Sequence, residues 1–89
     1  MPAYIVSFEL KDDSRRESLL NGLKSYGGYC PINENCWAIS TTKSAVQIRD
    51  HLTGLLGSGD RIFVIRSGTE AAWRKSYGQK NDDWLKEYL

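Results

Sequence analysis

The segment Tyr4-Ile5-Val6-Ser7-Phe8-Glu9-Leu10-Lys11-Asp12-Asp13-Ser14-Arg15-Arg16-Glu17 changes rhythm halfway along. Tyr4, Val6, Phe8 and Leu10 fall on one face and Ile5, Ser7 and Glu9 on the other, the alternation of a half-buried strand. Lys11-Asp12-Asp13 breaks it. Ser14 and Glu17 then stand at capping-box spacing, with Ser14 accepting from the first turn and Glu17 reaching back. Leu19, Leu20, Leu23 and Tyr26 follow at helical spacing, and Gly27-Gly28 stops the helix by supplying left-handed backbone.

The same strand–helix unit recurs downstream. Tyr29-Cys30-Pro31-Ile32 reads as a short strand, and Pro31, which cannot donate to a ladder, places it at a sheet edge. Asn33-Glu34-Asn35 turns the chain into a partner strand, Cys36-Trp37-Ala38-Ile39-Ser40-Thr41. Ser44-Ala45-Val46-Gln47 is a second capping box. Ala45, Ile48, Leu52, Leu55 and Leu56 form the apolar stripe of a second helix, which ends at Gly57-Ser58-Gly59. Arg61-Ile62-Phe63-Val64-Ile65-Arg66 is a strong final strand. The order strand, helix, strand, strand, helix, strand is the split βαβ pattern. It predicts an α+β, ferredoxin-like domain over residues 1–67: a four-stranded antiparallel sheet with both helices on one face.

A tail over 68–89 follows a break at Ser67-Gly68-Thr69. Glu70–Lys75 reads as a short helix or an extended segment, and Asp82–Leu89 as a final helical turn or two with acid at its N-terminus. Trp73 and Trp84 need cover, either on the domain or on a partner chain. One open sheet face and two tail indoles predict a homodimer.

Composition narrows the function classes. The chain has 89 residues, enough for a single domain. Its 12 Lys+Arg against 11 Asp+Glu leave a net charge of +1, which excludes a strongly basic nucleic-acid wrapper. No apolar run approaches the ~18 residues of a membrane span, so no membrane partner is expected. The opening residues enter a strand pattern directly, without a signal peptide's layout, and cytoplasmic location is the expectation. If the turn centres on Glu34, Cys30 faces Ala38 and Cys36 faces Ile32. The two thiols are then diagonal, roughly 7 to 8 Å apart at Cα, beyond the usual disulfide range of about 4.4 to 6.8 Å. Reduced, structural thiols are expected, with His51 in a packing or surface role on the second helix.

The chemistry-bearing candidates are few. Glu9 ends the first strand on the open face, and Asp12 and Asp13 follow at once. Such a carboxylate cluster, duplicated by a two-fold axis, can hold Mg²⁺ and support phosphodiester cleavage. The alternative is that Glu9 is solvated or paired to an arginine and that Asp12 and Asp13 favour the helix start. Arg15 and Arg16 open the helix as phosphate forks or as surface charge. From Arg61 to Lys80 five bases face the single acid Glu70, a local charge of +4 with Trp73 and Tyr77 interleaved. That pattern suits a phosphate-and-base contact strip. An RNA-recognition module would need aromatics on the open face, whereas Tyr4 and Phe8 share the core face.

Ile5–Leu10, Asp12–Arg16, Tyr26-Gly27-Gly28 and Asp60–Val64 together resemble the CRISPR-associated endoribonuclease family, the small dimeric ferredoxin-like subunit of the spacer-acquisition complex. The virulence-associated protein D ribonucleases are similar in the same region. Trp37–Thr41, Gln47–Leu52, Ala71-Ala72-Trp73 and Trp84-Leu85 extend a resemblance to small SinR-like bacterial proteins over nearly the whole chain. The resemblance implies a dimer in a defence or mobile-element setting, associated with nucleic acid or a protein partner. It implies Glu9 from both subunits on Mg²⁺, with Asp12 or Asp13 in support and Arg15, Arg16 and Arg66 on phosphate. The family's metal-binding Asp falls on Glu9 here, whose carboxylate stands about one C–C bond further out. Mg²⁺ demands near-ideal octahedral geometry, so nuclease activity is expected to be weak or lost. The other reading is a non-enzymatic interaction module.

Overall fold

The structure, a computed structural model, describes residues 2–68 and 70–89. Thr69 of the predicted break lies outside the described residues. Strands β1 (Ala3–Glu9), β2 (Gly28–Asn33), β3 (Cys36–Ser40) and β4 (Arg61–Arg66) form one sheet in the order β2-β3-β1-β4, with every neighbouring pair antiparallel. This is the ferredoxin-like α+β arrangement. β2 is an edge strand, as Pro31 requires.

Helices α1 (Arg16–Lys24) and α2 (Ala45–Thr53) pack on the same face of the sheet. Tyr4, Val6 and Phe8 of β1 and Trp37 and Ile39 of β3 meet Leu19 and Leu23 of α1 and Ile48 and Leu52 of α2. Burying one such aliphatic side chain contributes about 1.5–3 kcal/mol. Gly22 leaves room for the side chains of Leu52 of α2 and Leu55 just beyond it, which a Cβ there would displace. The Ser44–Gln47 capping box forms as expected: Ser44 Oγ accepts from Gln47 N, and Ser44 N donates back to Gln47 Oε1 at 2.9 Å.

Three local expectations are corrected. The first helix starts later than the Ser14 box predicts. Asp12 caps a short 3-10 turn, Asp13–Arg15, by accepting from Ser14 N at 2.9 Å, and α1 begins at Arg16. Asp12 outcompetes Ser14 because its carboxylate is the stronger acceptor and already sits where the strand ends. The hairpin carries a register shift between Pro31 and Asn33. Cys30 does face Ala38, but Cys36 opposes Asn33 rather than Ile32.

The third correction concerns the open sheet face. Helix α3 (Gln79–Tyr88) lies across it, longer than the predicted turn or two. Leu85, with Trp84 and Leu89 beside it, closes over Cys30, Ala38, Ile5 and Ile32. Asn81 Nδ2 donates to Pro31 O at 3.1 Å, which ties α3 to the edge strand. Trp84 is thus covered by its own chain. What stays open is the other half of that face: Ser7 of β1, with Phe63 60% and Ile65 50% exposed on β4.

Candidate functional site

The acids singled out in the sequence lie around the end of β1, and each is committed locally. Glu9 pairs in register with Arg61, and Arg61 Nη1 donates to Glu9 Oε1 at 3.3 Å. Both side chains are largely in water, so the pair contributes at most about 1 kcal/mol. Asp12 accepts from the hydroxyl and then the amide of Ser14, and these bonds hold its carboxyl below the ordinary aspartate value. Asp13 pairs with Arg16 at 3.2 Å. Asp60 closes the neighbouring loop by accepting from Lys11 N at 2.8 Å and Gly57 N at 2.7 Å, and those two amides lower its pKa as well.

Glu9, Asp12 and Asp13 are therefore not brought into one three-carboxylate group. Among the described residues no three His, Cys, Asp or Glu side chains are grouped as metal ligands. Mg²⁺ binds near-ideal octahedra of oxygens. Glu9, with the Arg61 guanidinium on its carboxylate and no group of three ligating side chains among the described residues, does not fit that ion within one chain.

The cations divide differently. Arg16 is a brace. Its guanidinium reaches Asp13, donates to Glu34 O at 3.1 Å and Asn35 Oδ1 at 2.9 Å, and sits 6.0 Å from the Phe8 ring centroid. It links the start of α1 to the β2–β3 turn and has few donors left for phosphate. Arg15 is exposed beside the Gly57–Asp60 loop, and its charge helps keep Asp60 ionised. Arg66 pairs in register with Tyr4, five residues along β1 from Glu9. That separation is about 17 Å along the strand, so Arg66 is not part of the Glu9 end. The pairing of Arg61 with Glu9 in particular, and the loop-closing role of Asp60, were not read from the sequence. Arg61 was recoverable, because antiparallel pairing of the two alternating strands sets it opposite Glu9 on the same face.

The thiols and the histidine are structural. Cys30 and Cys36 are both free, and burial raises the pKa of each. The Tyr26 hydroxyl and His51 Nδ1 are hydrogen-bonded at 2.8 Å, and the two rings meet edge to face. Trp37 is buried on the helix side and stacks on Tyr29. The aromatic face of an RNA-recognition module is therefore not present on the central strands.

No known family model and no curated protein matches the chain. Among solved structures, a hypothetical protein from Thermus thermophilus is similar, with a TM-score of 0.69 and 24% identity over 83% of this chain and 90% of that one. The likeness shows a shared fold.

Among the described residues no helix is long and apolar enough to cross a membrane.

Proposed function

We propose that this chain is a homodimeric, nucleic-acid-associated relative of the CRISPR-associated endoribonucleases with little or no metal-dependent nuclease activity. The observation that carries this reading is the state of Glu9. At the position where the resembling family places its metal-binding acid, a longer carboxylate is paired with Arg61 at 3.3 Å. Asp12 and Asp13 are turned to capping and to Arg16. Among the described residues one chain therefore presents no group of three ligating side chains, and a metal site at this end would need ligands from a second copy. Arg15, at the same end, is the candidate phosphate contact. The reading is tested by incubating the protein with RNA and with double-stranded DNA in Mg²⁺. No cleavage above background is expected, with salt-sensitive binding retained. Cleavage that disappears in Glu9→Gln would overturn the proposal and establish an active nuclease.

The second reading, a protein-interaction module without enzymatic activity, is favoured by Phe63 and Ile65. They expose an apolar strip on the edge strand β4. It predicts no salt-sensitive nucleic-acid binding in the same assay.

A further inference from the structure

The tail holds a second feature, which does not include Glu9. Trp73, Lys75, Ser76, Gln79, Asp82 and Lys86 line a cleft of about 550 Å³ between the extended segment after β4 and helix α3. Its size is within the range of small-ligand sites, about 300–1,000 Å³.

The indole of Trp73 is held in place. Its Nε1–H donates to Asp82 Oδ1 at 3.0 Å, and Ser76 Oγ donates to the same oxygen at 2.6 Å. The two bonds lower the Asp82 pKa, hydroxyl first, so this carboxylate stays charged while it accepts from Trp73 and Ser76. The residue is nevertheless 37% exposed. A large aromatic surface is thus oriented by a polar anchor and left partly open to water.

Lys75 stands on the same wall with φ of 60°, the left-handed region that disfavours residues bearing a Cβ. Glycine or asparagine would adopt it more readily. Strain of this kind concentrates where a side chain is wanted in a particular place. Lys86 adds a second ammonium to the lining. Two lysines against the engaged Asp82 leave the wall positive. Tyr77, 63% exposed, follows next in the chain, and Arg74 and Lys80 flank it.

A fixed, half-open indole beside a cationic wall is the chemistry that recognises a base and its phosphate together. We infer that this cleft binds a nucleotide unit, with the base stacked on Trp73 and the phosphate held by Lys75 and Lys86. The unit is either a free nucleotide or one link of a single strand. This goes beyond the function proposed above and does not depend on the dimer or on Glu9.

The test is a titration of the full-length chain with a nucleoside monophosphate, a short oligouridylate and an acidic peptide of matched charge. Tryptophan fluorescence and anisotropy of labelled ligand are the readouts. Binding of the oligouridylate is expected, with a log–log salt slope of about −0.7, since one neutralised phosphate contributes about −0.7 on a single strand. Lys86→Gln disturbs no hydrogen bond holding Trp73. It should weaken binding and flatten the salt dependence. Trp73→Ala should weaken binding about fivefold or more. Lys24→Gln, an equal charge loss on α1, should leave affinity within about twofold, as expected for a general field effect screened over a Debye length. Equal affinity for the monophosphate identifies a free-nucleotide site, and preference for the oligomer identifies a single-strand site. Both outcomes support the inference. Equal binding of the acidic peptide, or nucleotide binding unchanged by both Lys86→Gln and Trp73→Ala, overturns it, as does absence of binding at low salt.

Discussion

Ser40, at the end of β3, is buried, and its hydroxyl has no hydrogen-bond partner among the described residues. It stands in register with Gly28, on the face that Trp84 of α3 helps to cover. A buried unsatisfied hydroxyl costs about 1–3 kcal/mol. Ser40→Ala removes it with little change of volume and is expected to raise stability by about 1 kcal/mol. Urea denaturation checks this: the midpoint should rise with an unchanged m-value, and a fall would show that the hydroxyl has a partner. At this scale the sequence was only partly readable. The Ser44–Gln47 box was found because Ser44 makes both bonds that the spacing implies. The Ser14 box was misplaced because Asp12, two residues earlier, is the better acceptor, and spacing alone does not rank acceptors. The Glu9–Arg61 pair and the Arg16 brace join residues far apart in sequence, so they became visible only once β1 and β4, or α1 and the β2–β3 turn, were set side by side.

Among the elements, α3 decides how the second face of the sheet is treated. Ten residues form a marginal helix on their own. What holds it is Leu85, 2% exposed against Cys30 and Ala38, together with the Asn81 bond to the Pro31 carbonyl. Leu85→Ala should cost about 2–3 kcal/mol, toward the low end of the Leu→Ala range because the cluster is small. The helix-side core does not depend on Leu85, so hydrogen exchange should rise first in α3 and β2. Uniform loss of protection across β1 and α1 would contradict two separately packed faces. The four strands and first two helices were readable because their periods of 2 and 3.6 persist over whole elements. In the tail a final helical turn or two was readable, but not the face it covers, because a sheet face taken as open conceals the reason for Leu85, Trp84 and Leu89 to share a side. An apolar triplet that returns after a polar loop was the available signal.

For the whole molecule, α3 changes the case for a partner. A fully bare sheet face would have required a second copy; half a face makes a smaller demand. Between α3, the segment after β4 and the sheet there is a cavity of about 350 Å³ lined by Ile5, Ile32, Ile65, Trp73, Leu85 and Leu89. The cover over β2 and β3 therefore thins out toward β4. At that margin Phe63 and Ile65 are exposed on an edge strand, whose outward N–H and C=O groups lack a strand neighbour. Two adjacent apolar side chains on an unpaired edge form a self-complementary patch, because a two-fold axis beside β4 sets each copy's strip against the other's. Within the proposed dimer, Phe63→Arg places two like charges across that axis and should dissociate it. The fold should stay intact, since Phe63 faces away from the helix-side core. Sedimentation equilibrium at high micromolar concentration should give twice the 10.1 kDa chain mass for the unmodified protein. The variant should sediment as the single chain with an unchanged circular dichroism spectrum. A single-chain mass for the unmodified protein would remove the dimer, and with it the second Glu9 that a two-subunit metal site requires.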